Sequence, residues 1–104
     1  ERNNDTINEL IHSKQRSLIL VILATVDEAS FSFLKEKLDI TDGALSIHLQ
    51  KLENAGIIEV EKTFFKKRPR TIYRLTKTGR IELLKYANEM QKIIDTIKSS
   101  VIEG

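Results

Sequence analysis

The spacing of apolar residues changes repeatedly along this chain, and each change predicts a new element. Ile7, Leu10 and Ile11 recur at helical spacing and predict a short helix over residues 5–12. Ser13 can accept an orphan amide bond at a helix start, so a second helix is expected from about Lys14 to Val26. Its run Leu18-Ile19-Leu20-Val21-Ile22-Leu23-Ala24 is apolar all round, which predicts a central core helix buried on most sides. The β-branched residues in that run leave a strand as the alternative. Asp27-Glu28-Ala29 breaks the pattern, Ser30-Phe31 predicts a brief strand, and Ser32 is placed to cap a helix over Phe33–Leu38. Phe33, Leu34 and Leu38 form its inner face, while Glu36 stands one residue too late for a strict capping box.

Residues 41–58 carry the densest information. Thr41 is a good N-cap and Asp42 suits the positive end of a helix. Gly56 is placed to end that helix in a left-handed cap, and Ile57-Ile58 opens an extended run. Leu45, Leu49 and Leu52 fall on one stripe. Gly43, Ile47, Gln50 and Asn54 fall opposite, flanked by Ala44, Ser46 and Lys51. This outward face is small or amide-bearing, with few of the long charges that usually solvate a helix, and such a face fits a major groove. With the short helix before it, it makes a helix-turn-helix.

After Gly56 the period becomes twofold: Ile58 and Val60 alternate with Glu59 and Glu61, and Thr71–Leu75 reads as a second strand. Between the strands the chain is predicted to form a hairpin tip, stiffened by Pro69. Residues 62–74 carry Lys62, Lys66, Lys67, Arg68, Arg70 and Arg74 and no acid. Concentrated like charge repels itself unless an anion compensates it, so a phosphate-contacting wing is the reading preferred over a merely solvated loop. Thr76 or Thr78 can cap a last helix from about Gly79 to Ser99 or beyond. On it Leu83, Ala87, Met90, Ile94, Ile97 and Val101 recur with the alternating spacing of a heptad seam. That stripe predicts a homodimer interface, its flank covered by Ile7, Leu10 and Ile11 of the first helix.

Composition narrows the classes. A chain of 104 residues with 40% hydrophobic and 31% charged content is expected to be a single domain with one core. There is no cysteine, which excludes disulfides and thiolate metal sites. The longest apolar run, Leu18 to Ala24, is far short of a membrane span, and Glu1-Arg2-Asn3-Asn4-Asp5 lacks the pattern of a secretory signal, so a cytoplasmic protein is expected. The net charge of +2 conceals an asymmetry. Residues 1–61 hold 6 Lys/Arg against 11 Asp/Glu, and residues 62–104 hold 11 against 4, so an anionic partner is expected for the second part.

The order helix, helix, helix-turn-helix, two-stranded wing, long helix resembles a winged helix-turn-helix transcriptional regulator. The residues carrying the resemblance are Phe31-Ser32-Phe33-Leu34, Leu38-Asp39-Ile40-Thr41-Asp42-Gly43, Leu45-Ser46-Ile47-His48-Leu49, Leu52-Glu53-Asn54-Ala55-Gly56 and, most specifically, Arg68-Pro69-Arg70-Thr71-Ile72-Tyr73-Arg74-Leu75-Thr76. The chain is similar over roughly residues 10–85 to small MarR/ArsR-like regulators of archaea and bacteria. The resemblance implies a mainly α fold with a small β-hairpin (α+β), with a winged core at 13–76 and dimer-forming helices at 1–12 and 77–104. It implies a homodimeric, sequence-specific binder of double-stranded DNA with residues 42–55 as recognition helix. Ala44 and Ile47 stand at outward positions that are often polar in relatives, and the cysteine cluster of ArsR-type metal sensors is absent.

The candidate DNA contacts are therefore Thr41, Asp42, Gly43, Ala44, Ser46, Ile47, Gln50 and Lys51 on the helix, with the six cations of 62–74 on the wing. His12 and His48 sit on different elements, and His48 reads as a packing or phosphate-contacting residue rather than a metal ligand. No Gly-rich phosphate loop, carboxylate cluster or nucleophile motif is present, so no catalytic residue, metal or cofactor is expected. No membrane partner is expected either, and an effector ligand is left open. A protein-contact module within a transcription assembly keeps the fold but gives no account of the clustered cations. RNA binding is disfavoured on the expectation that the outward faces of 41–55 and 62–74 lack stacking aromatics.

Overall fold

Hydroxyl side chains start the four helices after the first, and leucine and isoleucine stripes fold them together. The chain is described by a computed structural model over backbone residues 2–103 and side chains 7–102. Its elements are α1 (Arg2–Ile11), α2 (Lys14–Val26), β1 (Glu28–Ser30), α3 (Phe31–Leu38), α4 (Asp42–Asn54), β2 (Ile58–Phe65), β3 (Arg68–Leu75) and α5 (Lys77–Glu103). Ser13 Oγ accepts from Arg16 N–H at 3.3 Å and opens α2. The α3 cap is Ser30, not Ser32: Ser30 Oγ accepts from Phe33 N–H at 3.1 Å. Ser30 closes strand β1 in an extended conformation and feeds directly into the helix, so Phe31 begins the helix instead of ending a strand.

The sheet has three antiparallel strands in the order β1-β3-β2, one more than a simple hairpin. Short β1 pairs only Glu28, Ala29 and Ser30 with Arg74, Tyr73 and Ile72. The hairpin is longer than the alternation of Ile58 and Val60 suggests: pairing continues from Ile58↔Leu75 out to Phe65↔Arg68. Pro69 lies inside β3, opposite Phe64, beyond the reach of β1, where one side of β3 is a free edge and a missing N–H leaves no partner wanting.

The core gathers Ile11, Ile19, Leu20, Leu23, Leu34, Leu45, Leu49, Leu52, Ile57, Ile58, Tyr73 and Leu75. Helix α2 is central to it but not buried all round, because Leu18, Val21 and Val26 remain exposed. Ile11 is fully enclosed within the chain, so it cannot serve as a dimer contact; Ile7 and Leu10 are half-buried against the same core. Two glycines are fixed by geometry. Gly56 has φ +76 at the end of α4, where a side chain would be strained. A Cβ on Gly79 would meet the Ile57 carbonyl oxygen at 2.0 Å, so only glycine lets α5 start against this corner. Thr76 starts α5, its Oγ1 accepting from Gly79 N–H at 2.9 Å and donating toward the Gly56 carbonyl at 2.6 Å.

Candidate nucleic-acid interface

Three enclosed leucines, Leu45, Leu49 and Leu52, fix α4 against the core and so decide which side of it meets solvent. Thr41 Oγ1 accepts from Ala44 N–H at 3.2 Å, which commits that hydroxyl to the cap. Gly43, Ser46, Ile47 and Gln50 are exposed, with Ile47 at 56%, and Ala44 is half-buried. Asp42 forms an ion pair with Lys35 of α3 at 2.8 Å, so its charge is already answered. Lys51 is exposed but lines a groove with Ile7, Leu10 and Arg16, toward α1.

His48 turns out to be a link between helices. Arg16 Nη1 donates to its Nδ1 at 3.0 Å, and Arg16 Nε donates to the Leu10 carbonyl near the end of α1. Arginine has no acceptor, so Nδ1 must be the unprotonated ring nitrogen. Burial foremost, and then the charges of Arg16 and Lys51, hold the His48 pKa below its ordinary value of 6.5.

The hairpin carries its charge differently. Lys62, Lys66, Lys67, Arg68 and Arg70 are exposed and form no salt bridge among the described residues. Arg74 is the exception among the six. Its guanidinium reaches Glu28 at 2.9 Å and Glu61 at 2.8 Å, so it ties β1 to β2 across β3 and is not free for a phosphate. The hydrogen bond to Glu61 foremost, with Glu28, raises its pKa further. The turn itself is Lys66-Lys67, with φ of 52 and 67. Two-residue hairpins favour such left-handed pairs, but usually as Asn-Gly, and lysine pays a steric penalty there.

Sequence reasoning missed the aromatic component. Phe64 and Phe65 are 73% and 53% exposed, contrary to the expectation that this face lacks aromatics. Lys66 Nζ lies 5.4 Å and the Arg70 guanidinium 5.0 Å from the centre of the Phe65 ring. The signal is Phe64-Phe65 within the basic run, which the apolar–polar alternation ending at Glu61 leaves outside the strand but which the strand in fact includes.

On α5, Leu83 and Met90 are half-buried, whereas Ala87, Ile94, Ile97 and Val101 are exposed, Val101 at 74%. Ile93 on one side and Leu84 and Ile102 on the other are exposed as well and widen the apolar face, whereas exposed Ile81 lies on the opposite side of the helix. His12 Nδ1 meets the Tyr86 hydroxyl, and Asn8 Nδ2 donates to Glu89 Oε1 at 3.3 Å, joining α1 to α5. Among the described residues no three His, Asp or Glu side chains converge to hold a metal ion, and no helix is long and apolar enough to cross a membrane.

The geometry has counterparts in known proteins. Residues 16–94 match the family described as the winged helix DNA-binding domain. An uncharacterized protein of Methanocaldococcus jannaschii is 37% identical over 90 residues, covering 86% of this chain and 98% of that one. The solved structure of a transcriptional regulator homologue from Pyrococcus horikoshii superposes with a TM-score of 0.81 at 26% identity, covering 93% of this chain and 98% of that one. A MarR-family regulator structure from Enterococcus faecalis shares the fold, with a TM-score of 0.77, 22% identity and coverage of 96% and 89%.

Proposed function

Given that the chain belongs to the winged helix DNA-binding domain family, we propose that it is a homodimeric transcriptional regulator that reads duplex DNA with α4 and grips it with the β2–β3 hairpin. The observation that carries this reading is the division of labour on the surface. Helix α4 offers Gly43, Ser46, Ile47 and Gln50 outward with little charge, while the hairpin carries five cations that have no acidic partner among the described residues. In the major groove Gln50 can bond adenine bidentately, and Ile47 and Ala44 can meet thymine methyls, so the half-site is rich in A·T pairs. Lys62, Lys66, Lys67, Arg68 and Arg70 bind phosphates or lie along the minor groove.

One recognition helix covers too few bases to select a genomic site, and a twofold pair places two of them about 34 Å apart. The exposed stripe of Ala87, Ile94, Ile97 and Val101, continued by half-buried Leu83 and Met90, is the surface for that pairing. Of the first helix, Asn8 and His12 meet α5 at its flank, whereas Ile7 and Leu10 line a groove toward α4. The test is sedimentation and DNA binding of the wild type and Ile94→Asp at micromolar concentration. The wild type should sediment as a dimer and bind duplex DNA with strong salt dependence. The carboxylate in a dry seam should cost roughly 3–5 kcal/mol, leaving a monomer with little site preference. A wild type that sediments at 11.9 kDa would remove the paired-half-site mechanism. Salt-insensitive binding to a protein partner instead would favour a protein-contact module.

A further inference from the structure

Two adjacent phenylalanines at the end of a basic hairpin have different surroundings, and the difference points to different work. Phe65 has its ring engaged by the Lys66 ammonium and the Arg70 guanidinium, so it braces two cations. Phe64 has no such neighbour among the described residues and is the more exposed of the two, at 73%. It continues the sheet face that Ile58 and Val60 turn toward the core, but it stands past the point where any described residue covers that face. Its cross-strand partner is Pro69, so two rigid apolar groups share one face near the turn. Lys62 shares their face, Lys66 and Lys67 form the turn beyond them, and Arg68 and Arg70 stand with Phe65 on the other face of the ribbon.

The hairpin extends about four residues, or roughly 13 Å, beyond the last pair with β1. A minor groove is only about 6 Å wide, so a two-stranded tip can send side chains into it but not its backbone. Apolar side chains delivered there by flanking cations can part stacked bases, and pyrimidine–purine steps yield most readily. We propose that Phe64, backed by Pro69, is a wedge that enters the minor groove and unstacks a flexible base step, so that site choice includes the deformability of DNA. This rests on the DNA-binding reading above. The cations of the hairpin favour a polyanion, and the family favours DNA over an anionic membrane surface.

The probe is a duplex selected from a random-sequence pool by the wild-type chain, with 2-aminopurine placed in turn at each flanking step. Wild type should raise the fluorescence at one pyrimidine–purine step in each half-site. Phe64→Ala should lose that enhancement and Phe64→Leu should keep part of it, with the slope of affinity against salt unchanged because no charge has been removed. Melting temperatures should match, since Phe64 supports nothing in the core. Enhancement that persists in Phe64→Ala, or that no step shows with wild type, would overturn the wedge while leaving DNA binding intact. A Phe64→Ala effect seen only on vesicles of anionic lipid would also overturn it, in favour of membrane contact. A wild type that selects no duplex would overturn this proposal and the DNA-binding reading together.

Discussion

Helix α4 and the β2–β3 hairpin are held in place by opposite means. Three enclosed leucines and a Thr41 cap fix α4, and its outward side is left nearly free of charge. The outer hairpin is held by strand pairing and the contacts of Phe65 with Lys66 and Arg70, with a left-handed lysine pair at its turn and five cations that lack acidic partners among the described residues. A surface that discriminates bases must be rigid to within a fraction of an ångström, whereas one that binds phosphates needs only reach and charge. The helix draws its rigidity from burial; the hairpin tolerates strain because it holds no core.

The largest test of that contrast is Leu52→Ala. Emptying an enclosed leucine site should cost about 2–5 kcal/mol in chemical denaturation and carry α4 with it. Replacing both Lys67 and Arg68 by Ala should leave the denaturation midpoint almost unmoved and instead reduce the slope of log affinity against log salt by roughly 0.9 per lost phosphate contact. Comparable stability losses in the two variants would erase the distinction.

Next in size is Gln50→Ala, expected to weaken binding to a selected site by ~1–3 kcal/mol and to relax base preference there without altering the salt slope. Equal losses on selected and random duplexes would move base reading away from Gln50.

A smaller effect separates strain from charge. Lys66→Asn combined with Lys67→Gly relieves two left-handed lysines, and should stabilise the fold by roughly 1 kcal/mol while weakening DNA binding. A destabilised double variant would show that the turn costs nothing as it stands.

The least effect concerns pH. Because His48 is held below its ordinary value of 6.5 in the folded chain, the unfolded chain binds more protons as acid is added. Its contribution to stability is present above pH 6.5 and is lost as pH falls toward the depressed folded value. His48→Gln should flatten that part of a stability–pH curve measured by thermal melting; an unchanged curve would mean that burial and the nearby Arg16 and Lys51 charges do not hold the ring neutral.

Local signals were legible wherever one residue and its near neighbours suffice. Ser13 and Thr41 cap the helices they precede, and Leu45, Leu49 and Leu52 point inward as their spacing requires. Gly56 ends α4 in the left-handed conformation. The winged helix-turn-helix resemblance rests on the order of these elements and, most specifically, on the stretch Arg68–Thr76, and the family match over residues 16–94 agrees with it.

What the sequence by itself determined, then, is the succession of elements, their caps and their inner faces, because periodicity and capping act over a few residues. Only the tertiary structure decided between Ser30 and Ser32, since the short strand β1 exists through pairing with β3, more than forty residues away. It also decided that Arg74 answers Glu28 and Glu61 and is not offered outward, for those acids arrive from two other strands. The reach of the hairpin was hidden for a related reason. Beyond Glu61 neither face of the ribbon is covered by a core, so no alternation of apolar and polar residues is required of it, and backbone pairing carries the strands out to Phe65 and Arg68.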